Sequence, residues 1–449
     1  MNEPFAQKDN EFVAWYPLNL TAEGAKDVWR TRRTGYYVHI PFCTAICDYC
    51  GFAVERLKGA PVGSYIEALK LEIRRAADSG RLARHRFVCG HFGGGTPSAI
   101  PAADLMAVKR AIDESFDVAD DAEVTVEVNP ISFSVEKAEA YRDNGVNRIS
   151  FGVQSFDDRI LKTIGRPHRA SDVQNTLDVI RNVGFQNFSL DLIYGVPGQS
   201  LADLRTDLER AAQCGPTHIS CFRLEIIPLT LLKLREAAYQ IPARLSVALL
   251  DEMDDLVSNI LTDAGYSCYG AFNFAKPGFE SVHNSVAFVA PQGEYIGFGN
   301  SAYSFVDDQI FCNHAEVHAY ARAVLGGDSP IALAARVTAL ESMARYFILG
   351  LKFFRVSRSA FVSLYGLEPE QLFGTVLQEL EDQGLLVVDG EDYVLTALGR
   401  RYVNNVVKRF FVGTSRGRSQ YPQFVSNLSV EQISRYADLR AKAEQSALS

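Results

Sequence analysis

The sequence has no excess of positive charge. Its 45 lysine and arginine residues are outnumbered by 54 aspartate and glutamate residues, which gives a formal net charge of −9. A general nucleic-acid binder needs a basic surface to attract phosphate, so this balance argues against one. The hydrophobic share of 47% and the charged share of 22% are those of an ordinary globular protein. With 449 residues, the chain is long enough for about three domains, or for one large barrel with an added domain.

The sequence also shows no targeting segment, no membrane-spanning run and no disulfide framework. The first ten residues are acidic and polar where a signal peptide has a cationic end and an apolar core, and no stretch has the length and apolarity of a transmembrane helix. Outside one cluster, the cysteines lack regular spacing and stand at Cys89, Cys214, Cys221, Cys268 and Cys312. These features predict a cytoplasmic protein in a reducing environment.

Three of the eight cysteines crowd into one turn after a β-like run. Cys43, Cys47 and Cys50 have the spacing C-x3-C-x2-C. Thiolates are preferred ligands of zinc and of iron–sulfur clusters, and three of them can hold three corners of a four-iron cube while the fourth iron keeps an open position. Two other interpretations remain open: three buried structural cysteines, or a zinc site with His39 as its fourth ligand.

The cysteine spacing, with an aromatic residue directly before the last cysteine, resembles the cluster motif of radical S-adenosylmethionine (radical SAM) enzymes. The surrounding Tyr37-Val-His-Ile-Pro-Phe-Cys43 resembles one branch, the oxygen-independent coproporphyrinogen III oxidases and their relatives. The resemblance implies a [4Fe-4S] cluster on Cys43, Cys47 and Cys50, with Tyr49 among the cofactor contacts. It further implies that S-adenosylmethionine (SAM) is cleaved to a 5′-deoxyadenosyl radical, after an electron enters from a donor such as flavodoxin or ferredoxin.

From Tyr36 onward, short β-branched runs alternate with helical patterns, which predicts repeated βα units and a parallel sheet. Six strands are predicted over residues 36–40, 86–91, 123–128, 148–152, 188–194 and 218–224. Helical spacing lies between them, first over residues 64–77. The predicted fold class is therefore α/β, with a partial (β/α)6 barrel. Its chemistry is expected at the carboxyl ends of the strands, as in the complete eight-fold barrel.

Polar residues stand at the predicted ends of these strands. The run Gly93-Gly-Gly-Thr96 follows the second strand, where glycines permit close backbone approach and offer main-chain N–H and C=O groups to an amino-acid ligand. A flexible turn is the alternative interpretation. Glu127 ends the third strand in an otherwise apolar run, where an unpaired carboxylate is costly. Taken singly, such residues are equally well explained by a salt bridge or a helix cap.

The resemblance assigns these strand-end residues to two SAM molecules. The contacts that it implies are Tyr37, Gly94, Gly95, Thr96, Glu127, Gln154, Arg166, Asp191 and Glu225. Arg166 is expected to pair with a carboxylate, and Asp191 or Glu127 to hold ribose hydroxyls or an ammonium group. Residues 294–304 are similar to the segment that closes the barrel near the second SAM, with Tyr303 as the expected contact. A packed glycine-rich strand is the alternative for that segment.

Four segments are predicted along the chain. Residues 1–34 form an N-terminal arm, 35–240 the partial barrel, 241–330 an extension that closes it, and 331–449 a mainly helical C-terminal domain of winged-helix type. The last segment is predicted to contain helices over residues 339–353, 370–383 and 398–411, a hairpin over residues 385–396 that turns at Asp389-Gly390, and a helix from Val430. The acidity of the chain and the resemblance favour a lid or substrate wall over DNA binding for this domain.

The reaction is open between several classes. The first prediction is carbon transfer, in which a second SAM serves as carbon donor for C-methylation or cyclopropanation of an aromatic or olefinic substrate. The alternatives are oxidation of the tetrapyrrole coproporphyrinogen III, delivery of heme by a heme-chaperone relative, and radical opening of the heme ring. Phe52 stands where the oxidases commonly have a further cysteine, whereas Val282-His283-Asn284 resembles the chaperones. His168 and His283 are predicted to handle protons, with a structural role as the alternative.

Overall fold

Strands and helices alternate through most of the chain. The structure is a computed structural model that describes Tyr16 and residues 32–228, 230–287 and 293–413. The strands are β1 (Arg32–Ile40), β2 (Phe42–Cys43), β3 (Glu55–Arg56), β4 (His85–Gly94), β5 (Asp117–Val128), β6 (Arg148–Gln154), β7 (Asn187–Tyr194), β8 (His218–Arg223), β9 (Ser267–Gly270), β10 (Asn273–Ala275), β11 (Glu294–Phe298), β12 (Tyr303–Val306), β13 (Gln309–Asn313), β14 (Ile331–Arg336), β15 (Arg355–Ser357), β16 (Leu386–Asp389) and β17 (Asp392–Leu395).

The helices cover the segments between these strands and most of the C-terminal domain. They are α1 (Val62–Asp78), α2 (Ala102–Ser115), α3 (Val135–Asp143), α4 (Asp158–Thr163), α5 (Ala170–Val183), α6 (Leu201–Gln213), α7 (Leu231–Ala237), α8 (Val247–Asp263), α9 (Val282–Ala287), α10 (Val317–Gly326), α11 (Ala339–Gly350), α12 (Arg358–Tyr365), α13 (Glu370–Asp382), α14 (Ala397–Arg401) and α15 (Val403–Lys408). Among the described residues, no helix has both the length and the apolarity needed to cross a bilayer.

Six parallel strands form the centre of a twelve-stranded sheet. β1, β4, β5, β6, β7 and β8 lie side by side in chain order, and each pairs in parallel with the next. Helical crossovers join the strands, as parallel pairing requires. The predicted partial (β/α)6 arrangement is therefore confirmed. One difference matters for the site: β4 continues through Gly94, so the first two glycines of the glycine motif belong to the strand.

Further strands extend both edges of this parallel centre. β10 and β9 follow β8 at one edge, while β11 pairs in parallel with β1 at the other and leads to antiparallel β12, β13 and β14. Because β14 pairs with β13, it belongs to the barrel sheet. Residues 331–336, the predicted start of the C-terminal domain, therefore pair with the barrel sheet. β1 likewise begins at Arg32, inside the segment predicted as an arm.

The C-terminal domain packs around an apolar core that also includes Phe305 and Ile310 of the barrel sheet. The ring of Phe347 on α11 stacks on Phe410, with centroids 4.7 Å apart. A small sheet of β15, β17 and β16 lies beside the helices. The predicted helix over residues 398–411 is divided at Tyr402, whose ψ of 27° departs from helical geometry and separates α14 from α15. The helix predicted from Val430 lies outside the described residues.

One arginine joins this domain to the barrel and to the arm. The guanidinium of Arg345 lies over the ring of Phe305 on β12, at 3.7 Å, and donates to the carbonyl of Tyr16 at 3.1 Å. The Tyr16 ring packs on Phe411, with centroids 5.1 Å apart. The point of the arm that the structure describes is therefore anchored where the barrel sheet meets the C-terminal domain.

A buried carboxylate ties α1 to the barrel-closing extension. Glu72 accepts hydrogen bonds from the Tyr320 hydroxyl at 2.6 Å, the Asn313 amide at 2.7 Å and the Gly299 N–H at 2.9 Å. Burial raises the pKa of Glu72 to about 7, although these three donors act in the opposite direction. Glu72 thus holds three segments that are distant in sequence.

Replacing Glu72 with leucine is expected to lower the free energy of unfolding by on the order of 3 kcal/mol, because three buried donors lose their acceptor. Thermal and denaturant unfolding measure this change. Glu67→Leu on the same helix is the matched control, since Glu67 is exposed and contacts Lys70. Equal stability of the two variants would show that the network around Glu72 does not hold the extension.

Candidate functional site

The three predicted cluster cysteines lie together in the loop after β1. Cys43 is 8% exposed, and Cys47 and Cys50 are half-buried. Burial raises the pKa of the Cys43 thiol to about 11, with the neighbouring Cys47 adding to the shift and Arg166 opposing it. The positive charge of Arg166 therefore acts on the thiols of this loop. A metal bound there would favour their thiolate form.

The arrangement fits an iron–sulfur cube better than a zinc ion. The three sulfur atoms do not all lie within 4.8 Å of one another, whereas zinc bonds of about 2.3 Å place sulfur ligands ~3.8 Å apart. His39, the alternative fourth zinc ligand, is occupied elsewhere. Its Nε2 donates to the Ala53 carbonyl at 2.9 Å, and its Nδ1 accepts from the Tyr37 hydroxyl at 3.0 Å.

The glycine motif fastens β4 to the cluster loop. The N–H groups of Gly95 and Thr96 donate to the carbonyls of Ile40 and Phe42, at 2.8 Å and 3.1 Å. The Thr96 hydroxyl also lies 3.3 Å from the sulfur of Cys43. The prediction that this run offers bare N–H groups to a ligand is therefore wrong for Gly95 and Thr96, because their donors are used inside the protein.

Steric contact explains why this motif consists of glycines. A β-carbon on Gly95 would lie 2.6 Å from the Pro41 carbonyl oxygen. A β-carbon on Gly94, whose φ is +106°, would lie 2.5 Å from the His39 ring. Real side chains do not tolerate such distances, so β4 could not approach the cluster loop with larger residues at these positions.

Arg166 reaches the cluster loop from the segment after β6. It donates to the sulfur of Cys47 at 3.4 Å, to the Gly152 carbonyl at 2.7 Å and to Nδ1 of His168 at 3.3 Å. Nε2 of His168 donates to the Val153 carbonyl at 3.0 Å. Burial lowers the pKa of His168 to about 4, and the charge of Arg166 adds to this shift. His168 is thus a neutral acceptor that holds Arg166, and its predicted role in proton handling stays a prediction.

Gln154 and Tyr49 both lie close to Arg166. Gln154 has a left-handed φ of +64°, a strained conformation for a residue other than glycine. Its side chain covers Gly152, where an added β-carbon would be 2.3 Å from Nε2 of Gln154. Tyr49 packs beside Ile160 and Ile193. Burial raises the pKa of Tyr49, and Arg166 opposes that shift.

A second group of side chains shares one face of the sheet below the loop. Nε2 of His91 donates to Oε1 of Glu127 at 2.8 Å, and the His91 ring stacks on Tyr37 with centroids 6.1 Å apart. A β-carbon on Gly93 would be 2.8 Å from the same Glu127 oxygen, so glycine makes room for the carboxylate. The Glu127 side chain keeps 39% of its surface exposed, which leaves it accessible to a ligand.

Asp191 on β7 adds a second carboxylate to this face. The Ser150 hydroxyl donates to it at 3.4 Å. Burial raises the pKa of Asp191 to about 6, and the negative charge of Glu127 adds to the shift. Two neighbouring carboxylates make the interior attractive to a cationic ligand that carries hydroxyl groups.

The short helix α9 brings His283 into the same group. Its ring centroid lies 5.0 Å from that of His91. The N–H of Val282 donates to Glu123 at 2.9 Å, which attaches α9 to β5. Burial lowers the pKa of His283 to about 3, so its imidazole is neutral at pH 7. Nδ1 of His283 has no hydrogen-bond partner within the described ranges. Its proton-handling role also stays a prediction.

Two other predicted contacts lie at the margins. Tyr303 on β12 packs against the core of the C-terminal domain, beside Phe305. Its side chain is hydrogen-bonded to the Cys312 thiol, which opposes the rise that burial causes in the pKa of that thiol. That places Tyr303 at the joint with the C-terminal domain. Glu225 is half-buried and follows the carboxyl end of β8. Contact of either residue with a SAM molecule stays a prediction.

Comparison with known proteins identifies the family. The sequence matches the Radical SAM superfamily over residues 37–211 and the HemN C-terminal domain over residues 337–402. It is 33% identical over 379 residues to the heme chaperone HemW of Bacillus subtilis, covering 83% of this chain and 98% of that protein. The chain belongs to the HemN/HemW family of radical SAM proteins.

Other members of the HemN/HemW family are similar along most of their length. The oxygen-independent coproporphyrinogen III oxidase of Synechocystis sp. is 28% identical over 398 residues, covering 83% of this chain and 84% of the relative. The structure of coproporphyrinogen III oxidase (HemN) from Escherichia coli superposes with a TM-score of 0.79 at 25% identity, covering 90% of this chain and 96% of that one. These matches do not support the methyltransferase or cyclopropanase branch predicted from the sequence.

The residues of this HemN/HemW-family chain fit the two cofactors that the superfamily implies. Cys43, Cys47 and Cys50 would hold the [4Fe-4S] cluster, which supplies the electron for SAM cleavage when bound. Arg166 offsets the negative charge of the thiolates, and the open carboxylate of Glu127 is available to the cationic SAM.

Two side chains that support the site are not among the residues predicted from the sequence. His91, two residues before the glycine motif, holds Glu127. Arg235 on α7 donates to Asp48 in the cluster loop at 2.5 Å and to the Thr163 carbonyl at 2.9 Å. The alternation of His91 with Gly93 on a strand was a usable signal, because both residues then face the same side. No local pattern connects Arg235 with a loop nearly two hundred residues earlier.

Alanine at Cys43, Cys47 or Cys50 is expected to remove most of the iron and sulfide of the reconstituted protein, because each thiolate holds one corner of the cluster. Iron and sulfide assays with the visible spectrum measure this loss. Cys312→Ala is the matched control, since Cys312 is a buried thiol on β13, outside the cluster loop. Full iron content in any one of the three variants would remove that residue from the ligand set.

The affinity for SAM is expected to fall by about fourfold as the pH is lowered from about 7.5 to about 5.5, because Asp191 loses its charge in that range. The raised pKa of Asp191, about 6, sets the midpoint. Equilibrium dialysis against labelled SAM measures the dissociation constant. Asp191→Asn should bind weakly at every pH and lose this dependence.

Asp207→Asn is the control for this pH dependence. Burial also raises the pKa of Asp207 to about 6, but its carboxylate serves the Ser155 hydroxyl and the Phe156 N–H. Titration of the ligand itself contributes equally to all variants. An unchanged pH profile in Asp191→Asn would show that this carboxylate does not contact SAM.

Proposed function

We propose that this chain is a SAM-binding radical protein that handles a tetrapyrrole, with heme as its first candidate ligand. The observation that most supports this proposal is the 33% identity to the heme chaperone HemW of Bacillus subtilis, over 98% of that protein. A likeness that includes both the barrel and the C-terminal domain supports a shared ligand more strongly than a match to the cluster motif alone. Phe52, in the position where oxidases commonly have a further cysteine, agrees with this proposal.

His283 is the candidate heme ligand in this proposal, because its segment resembles the chaperones. A neutral imidazole is a common axial ligand of heme iron, and the low pKa of His283 keeps it neutral. Nδ1 of His283 lies 3.8 Å from the position that a β-carbon on Gly35 would take, so this nitrogen faces β1. Ligation through Nδ1 would therefore require α9 to move away from β1, whereas the fold of the barrel itself need not change.

Oxidation of coproporphyrinogen III is the second candidate. The observation that favours it is the superposition on HemN from Escherichia coli, which covers 96% of that chain. In this proposal, Glu127 and Asp191 bind SAM and the C-terminal domain acts as a wall of the substrate site. The second SAM molecule, the contact of Tyr303 with it, and the flavodoxin or ferredoxin donor stay predictions.

The cluster-loaded protein is expected to bind an equimolar amount of heme, because the proposed chaperone site holds one heme iron. Titration followed by the heme absorption band measures the stoichiometry. His283→Leu should shift the band and weaken binding, whereas His318→Leu on the exposed side of α10 should change neither. Metal-free protoporphyrin IX serves as the control for adsorption that does not involve the iron.

The other outcomes separate the alternatives. With coproporphyrinogen III, SAM and a reductant, formation of 5′-deoxyadenosine together with carbon dioxide would replace the chaperone by the oxidase. Formation of 5′-deoxyadenosine with S-adenosylhomocysteine on an aromatic or olefinic substrate would restore carbon transfer and overturn the tetrapyrrole proposal. Heme binding equal to that of metal-free porphyrin would contradict a dedicated heme site.

A further inference from the structure

We infer that His91 is a positioning residue of the SAM site, which orients the carboxylate of Glu127 toward the ligand. The inference rests on the radical SAM part of the proposed function and on the predicted contact of Glu127 with SAM. It does not depend on the identity of the tetrapyrrole.

The hydrogen bond between these two side chains is the basis of the inference. Nε2 of His91 lies 2.8 Å from Oε1 of Glu127. In the part of the chain that the structure describes, His91 is the only hydrogen-bond donor to Glu127. Oε1 is therefore held, while Oε2 remains available on a side chain that is 39% exposed. A carboxylate held through one oxygen presents the other in a defined direction.

His91 is itself fixed by its neighbours. Its ring stacks on Tyr37 at an interplanar angle of 19° and contacts the ring of His283. Tyr37 is held in turn, because its hydroxyl donates to His39, and His39 donates to the Ala53 carbonyl just after the cluster cysteines. A continuous series of contacts therefore runs from the cluster loop to Glu127.

The series gives His91 a role that packing alone does not require. An apolar residue of similar size would fill the space beside Tyr37 and His283, but it would leave Glu127 without its donor. The carboxylate could then rotate over Gly93, and its orientation toward a ligand near the cluster would be lost. A hydrogen bond to a charged group is stronger than one between neutral groups, so its loss is expected to be measurable in the affinity for the ligand. His91 touches no reacting atom in this arrangement, so it acts through Glu127.

The test compares His91→Leu, His91→Gln, Glu127→Ala and the double variant His91→Leu/Glu127→Ala in the cluster-loaded protein. The dissociation constant of SAM is measured by equilibrium dialysis without any tetrapyrrole. We expect about tenfold weaker binding for His91→Leu, and a change of less than about threefold for His91→Gln, whose amide can still donate. The double variant should bind like Glu127→Ala, because the proposed effect of His91 on SAM passes through Glu127.

His218→Gln is the matched control. His218 is a buried histidine of the same barrel with two hydrogen bonds, to Ser189 and Tyr269, and neither partner is Glu127. Its replacement is expected to leave the SAM affinity unchanged. Iron content and melting temperature are measured for all variants, so that a general loss of structure is recognised.

Three results would overturn the role of His91. Additive losses in the double variant would show that His91 acts independently of Glu127. Failure of His91→Gln to restore binding would remove the hydrogen bond as the cause. A loss of iron or thermal stability in His91→Leu equal to that in Cys43→Ala would indicate a structural role. Absence of SAM binding by the unaltered protein would overturn the radical SAM assignment as well, whereas absence of heme binding would leave the role of His91 untouched.

Discussion

The main-chain hydrogen bonds between β4 and the loop after β1 are the constraint on which the site depends. Gly95 and Thr96 donate to the carbonyls of Ile40 and Phe42, so the loop that carries the cluster cysteines is held against the end of a neighbouring strand. Glycine is required because the carbonyl of Pro41 occupies the space of a side chain. The main-chain donors of Gly95 and Thr96 therefore hold the cluster loop in place and are not available to a ligand.

The opposite side of the cluster loop is held by side chains. Asp48 lies between Cys47 and Cys50, and its carboxylate accepts a hydrogen bond from Arg235 on α7. Its main-chain carbonyl accepts from the Leu232 N–H at 2.7 Å. Arg166 then reaches Cys47 from the segment after β6. Together with β4, the helix α7 and the segment after β6 thus meet at one short loop. Loops that carry function are generally positioned by such a rigid scaffold.

Charge is divided between the two halves of the site. The half at the cluster loop joins thiols to a guanidinium, whose charge opposes the rise that burial causes in the pKa of Cys43. The half below it contains Glu127 and Asp191, and burial raises the pKa of Asp191. A cationic ligand that bridges the halves would meet carboxylates on one side and the cluster on the other. The neutral His168 and His283 add no competing positive charge, because burial lowers the pKa of each.

The sequence alone determined the six parallel strands and the family resemblance, and it predicted the cluster cysteines. Ligand spacing and strand alternation are local properties, so residues such as Cys43 and Cys47 could be assigned without coordinates. Tertiary structure decided which side chains meet across strands. The pairing of His91 with Glu127, the approach of His283 and the inclusion of β14 in the barrel sheet all depend on register between distant segments. A periodic pattern shows which face a residue takes, but it does not show its partner on that face.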